Sequence, residues 1–103
     1  MGVSVSGIRH VVVFTWKAEA TEEQRRAVPE RLSALPGAIP EIAAYAFGGD
    51  VGLNQGNGDF AVVADFASRE DYLVYRDHPE HRAAIAETIA PIVDGRTAVQ
   101  FAL

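Results

Sequence analysis

A chain of 103 residues has room for one domain, and at that size folding hides roughly two-thirds of the surface the unfolded chain exposes. The formal charge is −5 and the nine basic residues are scattered singly apart from Arg25-Arg26, so no stripe exists to track a phosphate backbone and nucleic acid is not an expected partner. Cysteine is absent, which removes disulfides, thiolate nucleophiles and Cys-type metal sites, and no run approaches the ~18 apolar residues of a membrane span. With no secretory signal pattern either, a cytoplasmic domain without a membrane partner is expected.

Residues 1–7 are expected to form a flexible tail. The apolar, β-branched and aromatic run IRHVVVFTWK, Ile8 to Lys17, predicts the first strand. Thr21-Glu-Glu-Gln24 has the form of a capping box and opens a helix whose buried stripe is Val28, Leu32 and Leu35. Pro29 lacks an amide hydrogen and predicts a kink or break there; Pro36-Gly37 and Pro40 predict the helix stop.

Ile42 to Gly48 predicts a second strand with Tyr45 and Phe47 on one face. The loop Asp50 to Gly58 follows, glycine-rich but matching no phosphate-binding pattern. Asp59 to Phe66 predicts the third strand, and Ser68 to Asp71 a second capping box opening a helix through Tyr72, Leu73 and Tyr75. Pro79 suits the first turn of a further helix, on which His81, Ile85, Ile89 and Ile92 fall at spacings of four, four and three and share a stripe. Gly95 predicts a turn, and Thr97 to Leu103 the last strand.

This order implies an α+β domain: a four-stranded, largely antiparallel sheet with helices on one face. The strands are nevertheless apolar on both faces. Ile8, His10, Val12, Phe14 and Trp16 alternate with Val11 and Val13; Phe60, Val62, Ala64 and Phe66 alternate with Ala61 and Val63; Val99, Phe101 and Leu103 alternate with Ala98 and Ala102. Helices cover one face only, so the other implies a partner sheet, and self-association is the economical expectation.

The residues also carry a resemblance. The opening strand with its histidine, the unit GDFAVVADFASREDYLVYRDHPEH and the closing APIVDGRTAVQFAL resemble the stress-responsive A/B barrel (Dabb) family from Ile8 to Leu103, with His78-Pro79-Glu80-His81 the most distinctive element. The resemblance implies a ferredoxin-like protomer over residues 8–103 and a homodimer closing as an α/β barrel. The family includes plant polyketide cyclases and hydroxynitrile lyases alongside many members without an established activity.

In the cyclase-type members a tyrosine and the second histidine of the HPxH element form an acid–base pair, which maps onto Tyr75 and His81, with the first-strand histidine at His10. A further histidine of that pocket corresponds to Phe60, so the constellation is incomplete here. Some plant members hold Mg²⁺ on backbone carbonyls, which would map near Pro36, Ile39 and Ile42.

Imidazole is well suited to proton transfer near neutral pH, and a neighbouring phenol could steady an enolate oxygen. The structural alternatives are a core His81 bonded to a backbone carbonyl, a Tyr75 that only packs its ring, and a His78 that caps the helix. His78 and His81 at i and i+3 lack a third ligand, so neither a side-chain metal site nor a cofactor is expected. Phe14, Trp16, Tyr45, Phe47 and Phe101 would line an apolar pocket or fill a dimer core.

Three functions remain open. They are a homodimer binding a small apolar or aromatic metabolite, a cofactor-free cyclase or lyase using His81, Tyr75 and His10, and a purely structural or stress-associated oligomer. An enclosed cavity reached by His81 favours the second; a cavity filled by side chains favours the third.

Overall fold

A computed structural model describes residues 7–103. The chain runs β1 (Ile8–Trp16), α1 (Glu22–Leu32), α2 (Leu35–Ala38), β2 (Ile42–Gly49), β3 (Phe60–Phe66), α3 (Arg69–Asp77), α4 (Pro79–Ala84), a π-helical turn (Ile85–Ile89) and β4 (Val93–Ala102). The strands form one antiparallel sheet in the order β2-β3-β1-β4. The expected tail lies outside the described residues except for Gly7, whose carbonyl accepts a hydrogen bond from the Leu103 amide at 2.9 Å.

Local chemistry explains most boundaries. At the start of α1 the Thr21 hydroxyl accepts the Gln24 amide at 3.1 Å while the Gln24 side chain accepts the Thr21 amide at 2.9 Å, which satisfies two donors that a helix start leaves unpaired. Ser68 caps α3 by accepting the Asp71 amide at 3.1 Å, without the reciprocal half of a capping box. His78 caps α4, its Nδ1 accepting the Glu80 amide at 3.1 Å, with Pro79 in the first turn.

Three expectations need correction. α1 is not broken at Pro29: it runs on to Leu32, because the burial of Val28 and Leu32 outweighs one lost backbone bond. Pro36 does not stop a helix but sits in the first turn of the short α2, where a proline costs no backbone bond. β4 starts at Val93 rather than Thr97, and Gly95 lies inside it opposite Thr15 at a register shift. A Cβ on Gly95 would stand 2.7 Å from the Thr15 hydroxyl, so this glycine permits close strand approach instead of marking a turn.

The core lies between the helices and one face of the sheet. From β1 that face contributes His10, Val12, Phe14 and Trp16, and from β3 Phe60, Val62, Ala64 and Phe66. Val28, Leu32, Leu35, Ile39, Tyr75, Ile89 and Ile92 cover them. Each fully buried aliphatic side chain contributes about 1.5–3 kcal/mol.

The opposite face is bare. Its middle row is Ala46, Val63, Val11 and Val99, one residue from each strand in sheet order; Phe101, next to Arg9, is 46 % exposed and Val99 is 55 % exposed. Arg9 and Asp65 pair there through two hydrogen bonds of 2.8 Å. The aromatics expected to group together are therefore split: Phe14, Trp16, Tyr45 and Phe47 belong to the protomer's own helix-covered side, and only Phe101 faces outward.

Candidate functional site

Beneath α3, α4 and the π-helical turn the core does not close. A cavity of about 280 Å³ remains, lined by His10, Tyr45, Tyr72, Tyr75, His81 and Arg96 among aliphatic neighbours such as Leu32, Ile85 and Ile89. Arg76, His81, Ile85 and Ala90 line both this cavity and a shallow depression on the outer surface, so they form its mouth. A wider open groove at the far end of the sheet, bordered by Arg25, Arg26 and Asp50, has neither histidine nor tyrosine in its wall.

The backbone around the mouth departs from a regular α-helix. The Ala90 amide donates to the Ile85 carbonyl at 2.8 Å, five residues back, and Pro91 has no amide to offer the preceding turn. Such π turns recur at functional sites. Here the turn keeps Ile85 and Ile89 on the cavity side while Ile92 is buried beyond it.

Hydrogen bonding fixes the tautomers of both cavity histidines. The Gln100 amide nitrogen donates to Nδ1 of His10 at 2.8 Å, so the neutral His10 ring carries its proton on Nε2. His81 is the reverse. A carbonyl oxygen can only accept, so its Nδ1 donates to the Arg76 carbonyl at 3.1 Å and Nε2 holds a lone pair that no described residue engages.

Both rings are neutral near pH 7. Burial, followed by the charges of Arg96 and His81, pushes the His10 pKa from 6.5 to about 4. Burial also lowers that of His81, partly offset by its backbone hydrogen bond. His81 is thus an unprotonated base at the mouth of an apolar chamber.

Tyr75 packs against His81 with ring centroids 4.1 Å apart and the planes tilted by 35°, but the two are not hydrogen-bonded to each other. Its hydroxyl instead pairs with that of Tyr45 at 2.9 Å. Burial raises both phenol pKa values, so Tyr75 stays protonated across the physiological range and serves as a hydrogen-bond group, not a phenolate. When Tyr45 donates to Tyr75, the Tyr75 proton is free for a ligand oxygen.

The structure therefore brings His10, Tyr75 and His81 into one wall and leaves His78 outside it as a helix cap. Phe60, at the position of the missing histidine, packs with Trp16 and Phe47 away from the cavity. Near Pro36 and Ile42 the Ile39 carbonyl already accepts the Ile42 amide at 3.2 Å, and among the described residues no group of three or more His, Asp or Glu side chains could hold a metal.

Sequence reasoning missed Tyr72, Arg96 and Gln100 as wall or partner residues. The signal was present but shifted. With β4 beginning at Val93, the alternation Arg96, Ala98, Gln100 points to the helix side, opposite Phe14, Val12 and His10; a strand begun at Thr97 leaves Arg96 in a turn.

A family model, the Stress Responsive A/B Barrel Domain, matches residues 8–103. The chain belongs to that family. Among solved structures, a dimeric ferredoxin-like protein of unknown function from Thermobifida fusca is 54% identical, with a TM-score of 0.88 over 94% of this chain and 91% of that one. A dimeric protein of unknown function and ferredoxin-like fold from Bacteroides fragilis is 25% identical, with a TM-score of 0.82 over 95% and 97% of the two chains.

A hydroxynitrile lyase from Passiflora edulis shares the fold of this A/B barrel domain, with a TM-score of 0.83 at 18% identity over 97% and 95% of the two chains. No curated protein matches the chain significantly. Among the described residues no helix is long and apolar enough to cross a membrane.

Proposed function

We propose that this A/B barrel domain binds a compact, largely apolar, carbonyl-bearing molecule in the cavity and moves a proton on it without a cofactor. The observation that carries this reading is the tautomer of His81: with Nδ1 committed to the Arg76 carbonyl, Nε2 is the basic atom of a neutral imidazole in the cavity wall. His81 would take the proton from carbon, the Tyr75 hydroxyl would donate to the developing enolate oxygen, and His10 would assist through its Nε2–H.

The cavity is small for a ligand site, which limits the substrate to about one ring and a short substituent. A purely structural oligomer is the weaker reading, because packing for stability alone favours filling such a space.

The working unit in this proposal is a homodimer. The bare sheet face presents a continuous apolar row flanked by Phe101 and Val13, and the Thermobifida fusca relative at 54% identity is described as dimeric.

Deuterium uptake tests the chemistry. A panel of small aryl ketones incubated with the protein in heavy water should exchange the proton next to the carbonyl, and His81→Ala should lower the rate by about a hundredfold or more while keeping the native NMR spectrum. Equal rates for the parent protein, His81→Ala and buffer would sink the enzyme reading.

A further inference from the structure

Arg96 stands apart from the other charged residues of this site. Its side chain reaches the cavity from the edge strand β4, and no aspartate or glutamate lies in the cavity wall. The other wall cation, Arg76, is held by Asp77 through hydrogen bonds of 2.9 and 3.0 Å. The Arg96 guanidinium has no hydrogen bond or ion pair with any described residue.

The groups around it repeat the same polarity. His10 presents an Nε2–H donor, and the hydroxyl pair of Tyr45 and Tyr75 has a proton to give. The wall thus collects donors and one positive charge without a carboxylate partner, with the His81 lone pair as its counterpoint. Burial has removed the alternative charge carriers, since both histidines are held neutral, in part by Arg96 itself.

We infer that Arg96 is the anchor for a carboxylate on the cavity ligand, so that the substrate class is a compact aromatic or aliphatic carbonyl compound bearing an acid group. A guanidinium presents two parallel N–H donors in the geometry of a carboxylate, and Arg96, an exposed residue whose side chain lines the cavity, can offer them without giving up an existing partner. An anchored carboxylate would orient the remainder of the molecule toward Tyr75 and His81. This inference rests on the cavity being the ligand site but not on any proton transfer there.

The test compares two probes of equal shape, phenylacetate and phenylacetamide, titrated near neutral pH and followed by heteronuclear NMR at cavity residues. The acid should bind roughly ten- to a hundredfold more tightly than the amide. Arg96→Met should erase the preference while weakening amide binding far less, Arg96→Lys should retain part of it, and Arg25→Met, in the separate groove, should retain it all.

Equal affinity of the two probes for the parent protein, or a preference that survives Arg96→Met, overturns the assignment of Arg96. If neither probe perturbs cavity resonances at ~10 mM, the cavity as ligand site falls and the anchor with it. The proton-transfer reading stands or falls separately, since His81→Ala should keep the acid preference while losing exchange.

Discussion

The helix-covered face of the sheet and its bare face are made from alternate residues of the same strands. In β1, His10, Val12, Phe14 and Trp16 point one way and Arg9, Val11 and Val13 the other. The covered face mixes large aromatics with polar groups, and its helices leave a chamber at the end where those polar groups stand. Apart from Phe101, the bare face is built from small and β-branched residues in rows across the sheet, with one Arg9–Asp65 pair between the two central strands. Small flat rows suit a second sheet and irregular aromatic packing suits helices, so residue size separates the face open to a covering sheet from the face that encloses the cavity.

Breaking the bare face should give the largest effect. Val11→Lys places a charge in the middle of the apolar row, and it should weaken the proposed dimer by about a thousandfold or more while the protomer keeps its fold, because Val11 is not part of the helix-side core. Sedimentation equilibrium reads this directly, and a variant as dimeric as the parent would move the interface elsewhere.

On the covered face Ile89→Ala should cost about 3 kcal/mol of unfolding free energy, measured in urea, because it enlarges an existing cavity that cannot collapse. Val99→Ala provides the contrast. Its cost should be small in dilute solution and grow with protein concentration, as expected of a residue buried only on association.

The pH dependence of stability separates the faces again. His10 titrates at about 4 in the fold and 6.5 unfolded, so between those values the unfolded chain binds a proton that the folded chain refuses. Stability should therefore fall by about 2–3 kcal/mol as pH drops through this window, with His81 adding in the same direction. Urea titrations at several pH values should show a flatter slope for His10→Gln, whereas Arg9→Gln on the bare face should leave the slope above about pH 5 unchanged, because its partner Asp65 titrates below that range.

The smallest effect expected is that of Tyr45→Phe. Removing one partner of the Tyr45–Tyr75 hydroxyl pair should cost about 1 kcal/mol in the same urea assay.

Much of this architecture is legible in the chain itself. Alternation marks the strands, Thr21 and Ser68 mark helix starts, Pro79 opens α4, and apolar residues on both strand faces call for a covering layer on each. These signals are local, carried by one side chain and its near neighbours, and so they survive without knowledge of the fold. The resemblance adds which histidines and tyrosine to watch, and His10, Tyr75 and His81 do share one wall.

What the tertiary structure alone decided is set by contacts between distant segments. The start of β4 depends on pairing with β1, where Gly95 meets Thr15; that register turns Arg96 and Gln100 toward the cavity. The tautomers of His10 and His81 depend on Gln100, ninety positions away from His10 in sequence, and on the Arg76 carbonyl at the end of α3. Periodicity within a segment says which face a residue takes but not which atom from another segment will meet it there, and an acid–base site is defined by that meeting.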